Sequence, residues 1–284
     1  MTIRKDEILD FLKNFSENSP NNFIDKYIAI EPNCAGLKMY NPPIIGISSA
    51  TDDLYETYNK PHIIGENYLR PKEWLYNAKS VISIFNPFTK EVNDSNAKGN
   101  YPSNEWLHAR IEGQIYIISA AKSLAKYLKE KGSKATIVPV SEERFTVYKE
   151  PKTYSNWSER HAAYAGGMGT FSLNRALITK KGMAGRFCSI ITDIELAPDK
   201  REYSGIYDNC LMCGACVKSC PAGAINNRGK SHTICTPFLE KIFTENNPRY
   251  GCGKCQAGMP CESTIPIKGQ YIDYSLIRNN SNGN

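Results

Sequence analysis

Residues 210–221 read CLMCGACVKSCP, and this stretch decides how the rest of the chain is understood. Its cysteines are spaced C-x2-C-x2-C-x3-C and closed by Pro221. With that spacing a loop wraps three thiolates around one cubane iron-sulfur cluster and sends the fourth to a second cluster. Two intervening residues let a tight turn present neighbouring sulfurs to different irons. Gly214 and Ala215 leave room for backbone amides to approach the cluster sulfides, and Pro221 ends the turn.

One such run holds half the ligands that two clusters need. The rest follow at Cys235, at Cys252 and Cys255 in YGCGKC, and at Cys261 in MPCE. By the cross-over logic of two-cluster ferredoxins, Cys210, Cys213, Cys216 and Cys261 are assigned to one 4Fe-4S cluster, and Cys220, Cys235, Cys252 and Cys255 to the other. Zinc is the alternative, because two C-x2-C pairs across a loop also read as a tetrahedral site. Zinc gives no reason for four cysteines in one run closed by proline. Disulfides fit less well still, in the absence of a secretory leader or a small stapled domain.

At 284 residues the chain is long enough to bury a substantial core. Eight of its ten cysteines lie beyond residue 209. Composition shifts near Pro198, which predicts an α/β cofactor- and substrate-binding domain over 1–198 and a ferredoxin-like 4Fe-4S domain with a short tail over 199–284. The opening segment MTIRKDEILDFLKNF is charged and helical in pattern, with no apolar core for a signal peptide or a membrane span and no twin-arginine pattern. A reducing cytoplasm and no membrane are the expectation for so many thiolates. The formal charge of +6 falls to about +2 once eight thiolates and two oxidised cubane cores are counted. That is too little to argue for nucleic acid, and the basic tract at 122–134 reads as a solvated helix face.

Ile8, Phe11, Leu12 and Phe15 recur at helical spacing, so a first amphipathic helix is predicted, ended by NSPNN at 18–22. Residues 41–77, with the turns NPP and KPH, read as a surface wrap tied down by Tyr55, Tyr58, Tyr68, Trp74 and Tyr76. One wall of a flat-cofactor pocket is the alternative. Strands are predicted at 80–85 (SVISIF), 135–140 (ATIVPV) and 187–194 (FCSIITDI), and a long helix at 105–131 ended by Gly132. The alternation argues for an α/β layer fold. Cys34 and Cys188 lie outside both ligand sets and read as small buried thiols. A helix over 159–165 is broken by Gly166, Gly167 and Gly169 into a turn that lets a ligand lie against main chain. It follows a helix and opens none, so it is not a dinucleotide fingerprint.

The run RHAAYAGGMGTFSLNRALITKKG at 160–182, then a strand, then C-x2-C-x2-C-x3-C-P, resembles the epoxyqueuosine reductase and reductive dehalogenase superfamily. AKSVISIF at 78–85 looks like that family's early strand, and ICTPFLEK with YGCGKC like its later ligands. The resemblance covers roughly residues 40–265. It implies a nitroreductase-like α/β domain that binds a corrinoid (cobalamin), with a ferredoxin-like two-cluster module docked against it. Arg160, Gly166, Gly167, Met168 and Gly169 would then face the corrinoid. Arg160 and Lys180 read either as lining an anionic group of a cofactor or as ordinary surface cations.

Three departures from the family pattern are visible. Ser172 and Leu173 stand where the family has glycine and lysine, and only Asn174 matches. At the position of the family's candidate proton-donating Asp stands Thr153, which leaves the adjacent Tyr154 as the catalytic candidate, a phenolic donor only if its pKa were lowered. Cys255 and Cys261 are separated by five residues where the family commonly has three, and only 23 residues follow Cys261 where full-length epoxyqueuosine reductases continue into a helical-repeat region that helps engage transfer RNA. The reading is an iron-sulfur reductase fed by a reduced ferredoxin or flavodoxin-type donor, with transfer RNA implied as a partner by the resemblance alone. An electron-transfer or cobalamin-reducing partner protein, or an FMN-dependent reductase, is the alternative.

Overall fold

A computed structural model describes residues 3–134, 136–149 and 154–268. Helix α1 (Lys5–Asn18) buries Ile8 and Leu12, as its spacing predicts. Strand β1 (Ile44–Ser49), the short helices α2 (Asp53–Thr57) and α3 (Pro71–Trp74), strand β2 (Ser80–Pro87) and helix α4 (Lys90–Ala97) lead into the long helix α5 (Asn104–Glu130). Ser103 caps α5 by accepting from Trp106 N at 3.2 Å. Leu107, Ile117, Leu124 and Leu128 on its inner face are fully buried, each worth about 1.5–3 kcal/mol against exposure.

Past α5 come the short strands β3 (Thr136–Ile137), β4 (Val147–Tyr148) and β5 (Tyr154–Ser155), helix α6 (Glu159–Ala165), the hairpin of β6 (Gly169–Phe171) and β7 (Leu177–Thr179), and strand β8 (Gly185–Thr192). The cysteine-rich segment holds α7 (Ala215–Lys218), the hairpin β9 (Ile225–Asn226) and β10 (Gly229–Lys230), and α8 (His232–Asn246). Among the described residues no helix is long and apolar enough to cross a membrane.

The main sheet runs β1-β2-β8-β3 with every pair antiparallel. Ile44 stands opposite Phe85, and Phe85 opposite Phe187, so one register is carried across three strands. All eight residues of β2 are buried, because α1 and α5 cover one face of the sheet and α6 with the aromatic segment covers the other.

Two expectations change. The strand predicted at 135–140 stops at Ile137, since Pro139 opens a 3-10 turn over Pro139–Ser141. Within 41–77 the surface-wrap expectation lacks strand β1. The rest of the segment is tied down as expected by the buried Tyr55, Tyr58, Tyr68 and Trp74, while Tyr76 alone of the five is exposed, at 88%. Trp157 stacks on Tyr55 and Tyr68 with ring centres 6.2 and 5.9 Å apart, filling the layer between this segment and α6.

The glycine turn after α6 packs on the protein's own backbone. A Cβ at Gly46 of β1 would land on the Gly166 carbonyl and the Met168 side chain, and one at Gly167, whose φ is +70°, would come within 2.7 Å of the Lys200 carbonyl. Close approach of three chain segments explains this density of glycine better than a helix stop does.

Candidate metal centres

Two cavities sort the cysteines. The first, of about 360 Å³, is lined by Cys210, Cys213, Cys216 and Cys261 together with Ser172, Leu173, Asn174 and Met259. Helix α7 carries Cys216, and Met183 N donates to the Cys261 carbonyl at 2.9 Å, which draws the last cysteine to the segment just before β8. The second cavity, of about 830 Å³, is lined by Cys220, Cys235, Cys252 and Cys255 and walled by Phe88, Trp106 and Tyr250. Cys235 sits in the first turn of α8, which Ser231 caps. Leu173 and Ile225 form the buried partition: their cluster includes Cys210 and Cys216 from one set and Cys220 and Cys255 from the other.

Braces from outside the cysteine-rich segment hold the second set. Asn96 Nδ2 donates to the Cys252 carbonyl at 3.1 Å, and Asn174 Nδ2 donates to the Cys255 carbonyl. Lys254, between these two cysteines, is only 2% exposed, and its Nζ donates to the carbonyls of Asn96 at 2.8 Å and Lys98 at 2.5 Å. Burial pushes the Lys254 ammonium down to about 8.

Cys216, Cys252 and Cys261 are pushed up to about 12, by burial first and then by the neighbouring cysteines. Four thiols so placed share a space as thiolates only when positive charge sits among them, which is what iron supplies. Among the described residues no three His, Cys, Asp or Glu side chains close on a point that holds one ion; each set of four surrounds a volume. Ala224 N adds a hydrogen bond to Cys220 Sγ at 3.3 Å, of the kind that stabilises a ligating sulfur.

The other predicted site residues are spread out. Gly166, Gly167, Met168, Gly169 and Lys180 line a different cavity, of about 1020 Å³, with Lys5, Asp199 and Tyr203. Arg160 does not line it. Its Nη1 donates to the Arg175 carbonyl, and Arg186 and Arg175, together with a stronger effect of burial, lower its pKa. Tyr154 is half-buried against the edge of the aromatic core, where its hydroxyl accepts from Asn67 Nδ2 at 2.8 Å and its ring stacks on Tyr148 at 5.0 Å. It lines none of these three cavities. Thr153 falls outside the described residues. Cys34 and Cys188 are buried thiols away from both sets.

Sequence reasoning missed Glu159, whose carboxyl oxygens are buried above the sheet without a hydrogen bond of normal geometry. Burial raises it to about 7, with Ser189 and Trp157 near enough to hold back part of the rise. It also missed Arg110, Arg186 and Lys230 around the second cavity, which nothing in their local sequence marks.

Residues 204–226 match the 4Fe-4S binding domain family. A tetrachloroethene reductive dehalogenase of Desulfitobacterium hafniense is 32% identical over 114 residues, 37% of this chain and 20% of the dehalogenase. An epoxyqueuosine reductase of Listeria monocytogenes is 32% identical over 114 residues, 36% of this chain and 29% of the reductase. The chain thus spans less than a third of the length of these relatives. A solved epoxyqueuosine reductase with a modified tRNA-Tyr stem loop superposes with a TM-score of 0.52 at 18% identity, covering 93% of this chain and 66% of that one. A reductive dehalogenase described in terms of B12-dependent dehalogenation gives 0.52 at 17% identity, covering 80% and 30%. The structural likeness establishes a shared mixed α/β fold.

Proposed function

We propose that the chain is a reductase that takes in single electrons at the cavity of Cys210, Cys213, Cys216 and Cys261 and delivers them, through the cavity of Cys220, Cys235, Cys252 and Cys255, to a small molecule in the wide part of that second cavity. The observation that carries this is the sorting of eight cysteines into two sets of four across the thin partition of Leu173 and Ile225. When bound there, 4Fe-4S clusters supply one-electron transfer at potentials that their surroundings set. The relatives, all named as reductases, favour an enzyme over a non-catalytic electron-transfer partner.

The chain's own residues give the path its direction. Cys213 is exposed and Met212 beside it is 49% exposed, so a ferredoxin or flavodoxin-type donor can approach the first set. Cys235 and Cys255 are buried. Around the second set, Lys230 and Arg186 offset thiolate charge, and Phe88, Trp106 and Tyr250 exclude water from the space that a reacting molecule would fill. The five residues assigned to a corrinoid do not make one cradle, because the glycines pack against protein backbone and Arg160 lies apart from their cavity. They do not fit the group as a set, and no step is routed through it or through FMN.

The test is an anaerobic preparation analysed for iron, sulfide and zinc, with electron paramagnetic resonance after reduction. About eight irons per chain and two interacting reduced-cluster signals are expected. About four irons, or zinc in place of iron, would sink the two-cluster path.

A further inference from the structure

The second cavity has a one-sided lining. Arg110, Arg186 and Lys230 face it, and no Asp or Glu does. Arg160 and His232 stand near enough to Lys230 to feel its charge. Arg110 and Arg186 are a like-charged pair: after burial, the charge of Arg186 is the largest influence bringing Arg110 down to about 10. The hydrogen-bond partners of these guanidinium groups are neutral, and among the described residues the one carboxyl that feels the charge of Arg186 is the buried Glu159. Arg110 Nη2 donates to the Tyr250 hydroxyl at 2.7 Å and its guanidinium lies 4.5 Å from that ring centre, while Arg186 Nη2 donates to Gln114 Oε1. Among the described residues no carboxylate forms an ion pair with Arg110, Arg186 or Lys230.

The thiolates of the second set answer part of this charge, most directly at Lys230, which they hold above its ordinary value. They do not account for the space. The space at this set exceeds that at the first, which serves the same number of thiols. Phe88, Trp106 and Tyr250 line it together with Arg110 and Arg186. Guanidinium forks match carboxylate and phosphate oxygens two at a time.

We propose that the wide part of the second cavity binds a small aromatic acid, its carboxylate or phosphate held by Arg110 and Arg186 and its ring against Phe88, Trp106 and Tyr250. The proposal rests on the reductase reading and names the substrate class of that site. A half-enclosed pair of guanidinium groups suits a compact anion. A nucleic-acid backbone calls instead for cations strung along an open surface.

The experiment is a calorimetric titration of the anaerobic iron-loaded protein with benzoate, phenyl phosphate and, as the neutral counterpart, benzamide. At least one acid is expected to bind about tenfold or more tightly than benzamide, with the preferred acid distinguishing carboxylate from phosphate. Arg186→Gln and Arg110→Gln should each weaken that acid by about tenfold and leave benzamide unchanged, and Arg186→Lys should recover part of the loss. The proposal is overturned if neither acid is preferred over benzamide, if the preference survives both glutamine variants, or if an RNA stem loop binds and no small acid does. Iron is measured on every sample. A wild-type chain without iron fails the reductase reading whatever the acids do. A chain with about eight irons and no preference for acids fails this inference alone. Should a glutamine variant lose iron, the wild-type preference and its weakening by salt decide.

Discussion

Cys213 is the exposed member of its set, and its replacement isolates one centre from the other. Cys213→Ser should lower iron from about eight to about four per chain and remove one signal of the reduced spectrum, because a centre short of a thiolate loses the metal that organises its loop. Cys34→Ser and Cys188→Ser should leave iron unchanged; loss of iron in either would redraw the ligand sets. Leu173 stands where the related family has lysine, so sequence reading marks it only as a departure. Its side chain lies between the two cysteine groups, in the partition. Leu173→Ala should destabilise the protein by about 2–4 kcal/mol, read as a lower urea midpoint under anaerobic conditions, since a cavity opens there that neighbours tied to metal cannot collapse into. A midpoint unchanged from wild type would mean that the partition is not tightly packed. The cysteines were legible because ligand spacing is local. The role of Leu173 was not, because it depends on contacts with residues far along the chain.

Elements differed in the same way. The bounds of α6 and, within a residue, of α5 follow from helical periodicity and a glycine stop. Strand β1 was hidden because NPP precedes it and Gly46 interrupts its apolar run; only the contact with Gly166 and Met168 shows why a glycine stands there. Gly46→Ala should cost about 1–3 kcal/mol by forcing β1 away from α6, and a thermal midpoint equal to wild type would refute that packing. Beneath α6, Glu159 makes stability depend on pH. Its folded pKa of about 7 lies above the ordinary 4.5, so the folded state holds its proton longer than the unfolded state. Stability is therefore lost as pH rises from roughly 4.5 to 7 and stays lower above that, by about 3 kcal/mol. Glu159→Gln should remove this slope, matching wild type near pH 4.5 and exceeding it at pH 8. Urea midpoints of both proteins across that range are the check, and parallel curves would show that the carboxyl is already paired or solvated.

For the molecule as a whole, folding and metal are coupled in one part of the chain. The sheet with α1, α5 and α6 holds an apolar core of its own, whereas the segment around the cysteines has only small clusters, some of whose members are the cysteines themselves. Chelation of iron should expose residues 204–268 to protease while the sheet region keeps its far-ultraviolet circular dichroism; uniform cleavage along the chain would contradict this division. The mixed α/β class and the cysteine-rich end were readable from composition and alternation. The lining of the second cavity was not, because Arg110, Arg186 and Lys230 come from α5, β8 and β10 and meet only in three dimensions.

The clamping of the Cys252–Cys255 loop by Asn96, Asn174 and the caged Lys254 ammonium bears on how charge moves through the molecule. A loop held in this way has little freedom to shift, so on the electron path proposed above it would serve as a fixed station and not as a swinging carrier on a tether. Solvent viscosity should then slow the arrival of the external donor and leave the internal step untouched.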